Sequence, residues 1–369
     1  MAYYIHQHKD WTAFKWDNDE LIQVLGEVRN LQGKLIGKLE VLGFDLMEEA
    51  NLITLTEDVI KTSEIEGEVL DKEQVRSSIA RRLGLDLQGL IPSDRNVDGV
   101  VEMMIDATKN ADRPLTEDRL FGWHNLLFPT GRSGMYKIQV ADWRKDIEGP
   151  MQVVSGAFGR EKVHYQAPSS DRVPSEMKSF LKWFNEENDM DSVLKSAVAH
   201  FWFVTIHPFD DGNGRIARTI ADLQLTRSDG SNQRFYSMSS QIRKNRNAYY
   251  EILEETQKGD ANITQWLKWY CDNLLVAIQD ADVVLQKVLS KHNFWQSNKD
   301  VALNERQIKI LNMLLDYFEG NLNTKKWALI NKVSADTALR DITDLVNKNI
   351  LQKSTSGGRS TSYELIILK

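Results

Sequence analysis

The chain has a single cysteine in 369 residues, Cys271, so no disulfide can close within it, which suits a reducing compartment. A lone thiol of this kind is expected as a small buried side chain. No apolar run is long enough to span a bilayer, and Met1 to Phe14 lacks the hydrophobic core of a secretory leader. The expectation is a soluble, cytoplasmic protein. Nor is there an excess of basic charge: 46 Lys and Arg against 53 Asp and Glu leave a formal net charge of -7, which argues against nonspecific nucleic-acid binding by the whole molecule. His6 and His8 form an HxH pair, but without a third ligand nearby they read as packing residues rather than a metal site.

What is present is ample core-forming material, 41% hydrophobic, for two or three domains. From Val301 onward, 10 Lys and Arg face 7 Asp and Glu, a local excess of positive charge that hints at a nucleic-acid module there.

The chemistry concentrates at His207–Arg218, which reads HPFDDGNGRIAR. Before it, Ser192 to Ile206 is nearly continuous apolar sequence, long enough for a buried helix. Pro208 disfavours the helical conformation at His207, so that helix should end there. Gly212, Asn213 and Gly214 form a permissive turn, and helical periodicity resumes at Ile216. A turn feeding a helix start presents free backbone N–H groups to one point, an anion nest. Arg215 and Arg218 share a helix face and suit phosphate oxygens, Asp211 suits Mg²⁺, and the His207 imidazole suits general-base work. A capped turn with a surface histidine is the alternative for His207 alone.

This run resembles the Fic-family motif HPFx(D/E)GNGRxxR at every fixed position. The resemblance implies a mainly α fold: a helical core with a small β-hairpin flap. It implies a nucleotidyltransferase in which His207 deprotonates a protein hydroxyl (Tyr, Ser or Thr) for attack on the α-phosphate of ATP. Phe209 would anchor the loop, and Asp211 would hold Mg²⁺. Gly212, Asn213, Gly214 and Arg215 would cradle the phosphates, and Arg218 would take the γ-phosphate.

Upstream, Thr62-Ser63-Glu64-Ile65-Glu66-Gly67 places acidic residues at a helix C-terminus, where they oppose the helix dipole. The stretch resembles the Fic inhibitory motif (S/T)xxxE(G/N), with Thr62, Glu66 and Gly67 at the fixed positions. That implies an N-terminal inhibitory helix whose glutamate pairs with Arg218. The flanking sequence resembles an uncharacterised helical domain fused to bacterial Fic modules. Its apolar stripes run through Leu21–Leu35 and Leu52–Ile60.

Between Gly134 and Pro168 the pattern turns β-like, with an irregular tip at residues 156–161. By resemblance, Met151, Gln152, Val153, Val154 and Ser155 form a flap that takes the target by strand addition; a purely structural hairpin is the alternative. His124 and His200 read as satisfied core histidines. Gln241 to Gly259 reads as helical, and by resemblance Tyr250 and Gln257 line the adenosine pocket, although asparagine would be as natural at Gln257.

After a polar linker, Lys291 to Asp300, three helical stretches are expected, the third capped by Ser334. Two β-like runs then flank Gly357-Gly358-Arg359. The order resembles a winged helix-turn-helix in which Thr337, Arg340 and Arg359 face DNA. Docking of a protein or of a second copy by the same surface stays open.

The expected organisation is 1–95 helical and inhibitory, 96–290 Fic core and 301–369 winged helix. The expected function is an autoinhibited protein adenylyltransferase, self-modification included. The competing functions are a nucleotide-sensing DNA-binding regulator and a phosphodiesterase that removes AMP.

Overall fold

The computed structural model describes residues 4–40, 43–87, 89–147, 149–156, 159–160, 162–187, 189–316, 318, 320–354 and 361–366. The chain is mainly helical. In order come α1 (Asn18–Glu40), α2 (Phe44–Ile65), α3 (Lys72–Leu83), α4 (Arg95–Lys109) and α5 (Glu117–Leu127). Short strands β1 (Arg132–Ser133), β2 (Tyr136–Lys137), β3 (Gln152–Ser155) and β4 (Lys162–Gln166) follow. Then come α6 (Val173–Asn185), α7 (Ser192–Ile206), α8 (Asn213–Asp229), α9 (Met238–Lys244), α10 (Arg246–Gln257) and α11 (Thr264–Ser297). The chain ends with α12 (Glu305–Asp316), α13 (Thr324–Asn331), α14 (Ala335–Asn347), β5 (Leu351–Lys353) and β6 (Tyr363–Leu365). Consecutive strands pair antiparallel as three two-stranded sheets. No described helix is long and apolar enough to cross a membrane.

Residues 1–282 and 283–369 form two compact units. In the first, the helices before residue 95 pack in the same body as the loop helices. Its axis is α7, buried from Val193 to Ile206 as its apolar composition demands. Asp191 caps its start by accepting from the Val193 and Leu194 N–H groups. Around it, Trp266 donates to the Ala197 carbonyl at 2.9 Å, and the Ser196 and Tyr270 hydroxyls share a hydrogen bond at 2.7 Å. Cys271 is fully buried, and burial pushes its thiol up to about 12. It is inert packing.

Two expectations change. Gln241 to Gly259 is two helices, because Asn245 leaves helical geometry (φ -107, ψ 32) between α9 and α10. The expected linker at Lys291 is still helix: α11 runs to Ser297, and Phe294 and Trp295 pack into the second unit's core. Polar composition concealed an amphipathic last turn. In that unit Ser334 caps α14, accepting from the Thr337 N–H, and Trp327, Ile342 and Leu345 are fully buried. Gly357-Gly358-Arg359 lies outside the described residues.

One buried polar cluster joins α2 to α8. Asp58 and Asp222 are about 1% exposed. Asp222 pairs with the buried Arg234 guanidinium at 3.0 Å, and the Ser237 hydroxyl donates to Asp58. Burial, then the Asp222 charge, pushes the Asp58 carboxyl up to about 7. The folded state therefore holds a proton that the unfolded chain releases. This contribution to stability is fully present below the ordinary value of 3.8 and is lost as pH rises to about 7. Urea unfolding of Asp58→Asn and wild type across that window should show a flatter pH dependence in the variant. Parallel curves would refute the buried proton.

Candidate active site

The His207–Gly212 loop joins α7 to α8. His207 closes α7 in the left-handed region (φ 52, ψ 59), its N–H donating to the Phe203 carbonyl. Its Nδ1 donates to the Val204 carbonyl at 3.1 Å, which leaves Nε2 as the basic nitrogen. Burial holds the imidazole below its usual value, so it is neutral at neutral pH.

Helix α8 starts at Asn213, three residues before the periodicity resumes, because the apolar pattern cannot register a first turn made of Asn, Gly and Arg. Phe209 is fully buried, stacked on His124 at 4.1 Å between ring centroids. The Asn213 side chain makes both bonds to the Phe209 backbone, accepting at 2.9 Å and donating at 2.8 Å. It holds the loop shut, so only its backbone N–H, with those of Gly214 and Arg215, points from the helix start. Gly212 sits at φ 81, and a Cβ there would stand 2.8 Å from the Phe128 ring. Gly212→Ala should cost about 1–3 kcal/mol of stability, read as a lower urea midpoint; an unchanged midpoint would show that glycine is not required.

Asp211 accepts from the Gly212 N–H at 2.6 Å and from the Ser133 hydroxyl. It is partly exposed. Among the described residues no cluster of three or more His, Cys, Asp and Glu side chains could hold a metal. A single carboxylate beside a phosphate site is what Mg²⁺ commonly uses.

Glu66 caps α2, and Gly67 follows at φ 86, with the Glu68 N–H reaching back to the Ser63 carbonyl at 3.0 Å. This closed turn aims the Glu66 carboxylate at the start of α8. A Cβ on Gly214 would lie 2.4 Å from Glu66 Oε1. Arg218, 2% exposed, donates to Glu66 at 2.7 Å, to the Thr62 hydroxyl at 2.8 Å and to the Thr62 carbonyl at 3.1 Å. Burial alone would lower its pKa, but the Glu66 charge holds it above its ordinary value. Arg215 pairs with Glu68 at 2.8 Å over the Phe128 ring. Arg218 Nη1 and Arg215 Nε are buried without partners among the described residues. Orphaned guanidinium donors at a helix start mark an anion site.

Tyr250 lies under the Arg246 guanidinium, 5.0 Å from its ring centroid, and Arg246 donates to the Ile65 carbonyl at 2.8 Å; the tyrosine thus stands beside the end of α2. Gln257 is 5% exposed, and its amide donates to the Thr205 hydroxyl at 3.3 Å. That bond ties one amide hydrogen to α7 and leaves its oxygen and second hydrogen for another partner. His200 is buried, donates to or accepts from the Tyr249 hydroxyl at 2.8 Å, and burial drives it down to about 3, as scaffold.

The expected flap is strand from Gln152 to Ser155, and Met151 extends the pairing by accepting from the Ala167 N–H. Among the described residues β3 pairs with β4 alone, which leaves its other edge open there. The tip at residues 156–161 lies partly outside the described residues. A groove of about 720 Å³ runs from Met151 and Gln152 past Tyr136 to Asp210. His6 packs on this hairpin through the Gln166 carbonyl at 2.9 Å.

Arg144 carries no sequence signal of its own, and the reading of His124 as a satisfied core histidine gives no hint of its partners. Arg144, buried, donates to the His207 carbonyl at 2.7 Å, while its backbone N–H donates to the Pro208 carbonyl at 2.9 Å. His124 accepts from the Ala141 N–H and donates to the Asp211 carbonyl at 3.1 Å. Burial lowers it to about 4. The acid two residues past Glu66 was a visible signal for Glu68.

A helical hairpin with a histidine at the exit of one helix and two arginines beside the free N–H groups at the start of the next is an arrangement suited to binding an anion. Residues 114–225 match the Fic/DOC family, and the chain carries a Fic domain. Residues 4–85 match a domain of unknown function, DUF4172. A probable protein adenylyltransferase of Aquifex aeolicus is 32% identical over 95 residues, 26% of this chain and 27% of that one. The chain thus spans about a quarter of the length of that relative. Among solved structures, a Fic family protein from Desulfovibrio desulfuricans is 20% identical, with TM-score 0.50 over 94% of this chain and 96% of that one. A Fic domain containing signaling protein from Bacteroides thetaiotaomicron gives TM-score 0.52 at 20% identity, over 70% of this chain and 97% of that one.

Proposed function

We propose that this chain is a protein adenylyltransferase held off by its own helix α2. The Fic domain, together with the protein adenylyltransferase name of the relative, supports transfer of AMP from ATP to a protein hydroxyl. His207 Nε2 takes the hydroxyl proton, the N–H groups at the start of α8 and Arg215 hold the phosphates, and Arg218 takes the γ-phosphate. Asp211 would hold Mg²⁺, which supplies charge neutralisation on the phosphates. Tyr250 and Gln257 line the adenosine side, Gln257 also bonding the Thr205 hydroxyl on α7. The open edge of β3 and the adjoining groove receive the target by main-chain pairing.

The observation that carries the brake is the Glu66 carboxylate against Gly214 and on Arg218. It occupies the helix start that favours an anion and the guanidinium that would meet the γ-phosphate. Incubation with ATP labelled at the α-phosphate tests the reading: label should enter a protein acceptor, slowly for wild type. No incorporation by wild type or by Glu66→Gly would overturn it.

The boundaries 1–95, 96–290 and 301–369 we retain as functional segments. For the last, three helices followed by an antiparallel pair support a winged-helix-like module, with Thr337 and Arg340 at the start of α14. Salt-dependent binding of duplex DNA by the full chain tests it; a concentration-dependent dimer without DNA binding would assign the surface to a second copy.

A further inference from the structure

One constellation of side chains beside the loop is unused in that scheme, which draws only on the main chain of β3. The Ser155 hydroxyl on β3 lies 2.6 Å from His164 Nε2, and His164 Nδ1 lies 2.5 Å from Glu254 Oε2 on α10. An ionised carboxylate only accepts, so Nδ1 carries a proton toward Glu254, and in the neutral imidazole Nε2 offers its lone pair to the serine. Hydroxyl, imidazole and carboxylate in this order make an activated nucleophile: a base beside the hydroxyl, oriented by a third group.

The backbone is shaped to bring them together. Val153 faces Tyr165 while Val154 faces Val163, so His164 is the extra residue of a bulge. Bulges re-aim side chains and collect beside active sites. Burial would raise the Glu254 pKa, but hydrogen bonds from Lys258 and His164 hold it below its ordinary value, so the carboxylate stays charged. Ser155 is exposed. The relay also hangs between the two helices that frame the site. Tyr165, next to His164, donates to the Thr205 carbonyl at 2.7 Å, two residues before His207. Glu254 is one turn beyond Tyr250.

We propose that Ser155 is the chain's own AMP acceptor, activated by His164 and Glu254; this rests on the transfer reading above. The Ser155 oxygen attacks the α-phosphorus of ATP, forming the new O–P bond as the bond to the β-phosphate bridging oxygen breaks. The hydroxyl proton passes to His164 Nε2, Glu254 stabilises the resulting imidazolium, and pyrophosphate leaves. AMP then stands on the open strand edge to which a target would pair. Self-modification thereby shuts off access to further targets.

The experiment uses full-length Glu66→Gly with ATP and Mg²⁺, with and without an added hydroxyl-bearing peptide, followed by proteolysis and mass-spectrometric mapping. AMP is expected on Ser155, at a rate independent of chain concentration, because hydroxyl and loop belong to one unit. Ser155→Ala in the same background should leave the hairpin peptide unmodified. His164→Gln should slow labelling of Ser155 about a hundredfold, and Glu254→Gln should slow it less. AMP on other residues or on the added peptide, but not on Ser155, overturns this inference and leaves the transfer reading standing. AMP nowhere overturns both. Ser155 labelling at an undiminished rate in both His164→Gln and Glu254→Gln overturns the relay.

Discussion

Replacing His207 by alanine in a Glu66→Gly, Ser155→Ala background is expected to cut AMP incorporation into an added protein acceptor by about 10²–10⁴-fold, the contribution of a positioned general base. The geometry gives the reason. Nδ1 is committed to the Val204 carbonyl, so Nε2 is the nitrogen free to take a proton. Burial holds the imidazole below 6.5, and activity should therefore persist to lower pH than an ordinary histidine allows. Alanine also meets a backbone cost, since position 207 is left-handed at φ 52. His207→Asn is the better control: asparagine tolerates that region and removes the base without disturbing the turn. Both variants should still bind ATP, read by protection of the folded chain against heating. If either incorporates labelled AMP as fast as its parent, His207 is not the base.

Much of this site was legible because its chemistry is contiguous. The loop His207–Arg218 carries its proposed base, its free helix-start N–H groups and its arginines in twelve consecutive residues, and Pro208 after an apolar run announces where α7 ends. The contact of the Thr62–Gly67 stretch with Arg218 was legible for the same reason, as Thr62 and Glu66 lie one turn apart and meet Arg218 together. What escaped was held by long-range contact. Arg144 reaches the His207 carbonyl across 63 residues, and His124 reaches the Asp211 carbonyl across 87. A residue that bonds a backbone atom leaves no pattern in its own neighbourhood. Asn213 shows a complementary case: its side chain clamps Phe209, a second role that the motif does not announce, while its backbone N–H stays at the helix start. The break between α9 and α10 was missed because both halves keep a common apolar face, and periodicity is blind to one residue out of register.

The relay at Ser155 was hidden for a related reason. Alternation along β4 would set Lys162, His164 and Gln166 on one face, but the bulge at His164 interrupts that rule. Only the paired strand, with its two-against-one register, reveals which way the imidazole is aimed. Sequence places the hairpin; its register decides what the hairpin can do.

Glu66→Gly should raise AMP incorporation about ten- to hundredfold over wild type. Hydrogen bonds to charged groups contribute about 1.5–3 kcal/mol, and each 1.4 kcal/mol is about tenfold. Removing the carboxylate frees one face of Arg218 and the start of α8 at once, while Arg218 remains oriented by the Thr62 hydroxyl and carbonyl. The helix end should survive. Glu66 has an ordinary φ of -84, and the closing bond runs from the Glu68 N–H to Ser63, using backbone alone. The gain should therefore appear as faster transfer in a chain of nearly unchanged melting temperature. Glu68→Ala is expected to do much less, because Glu68 is about half exposed and surface pairs contribute little. The contrast separates two accounts of the brake. If both variants activate equally, the brake is the summed negative charge beside the two arginines. If Glu66→Gly, folded, labels no faster than wild type, the carboxylate on Arg218 is a structural contact and α2 does not inhibit. Activation by Glu66→Gly alone would assign the brake to competition between one carboxylate and the γ-phosphate for Arg218.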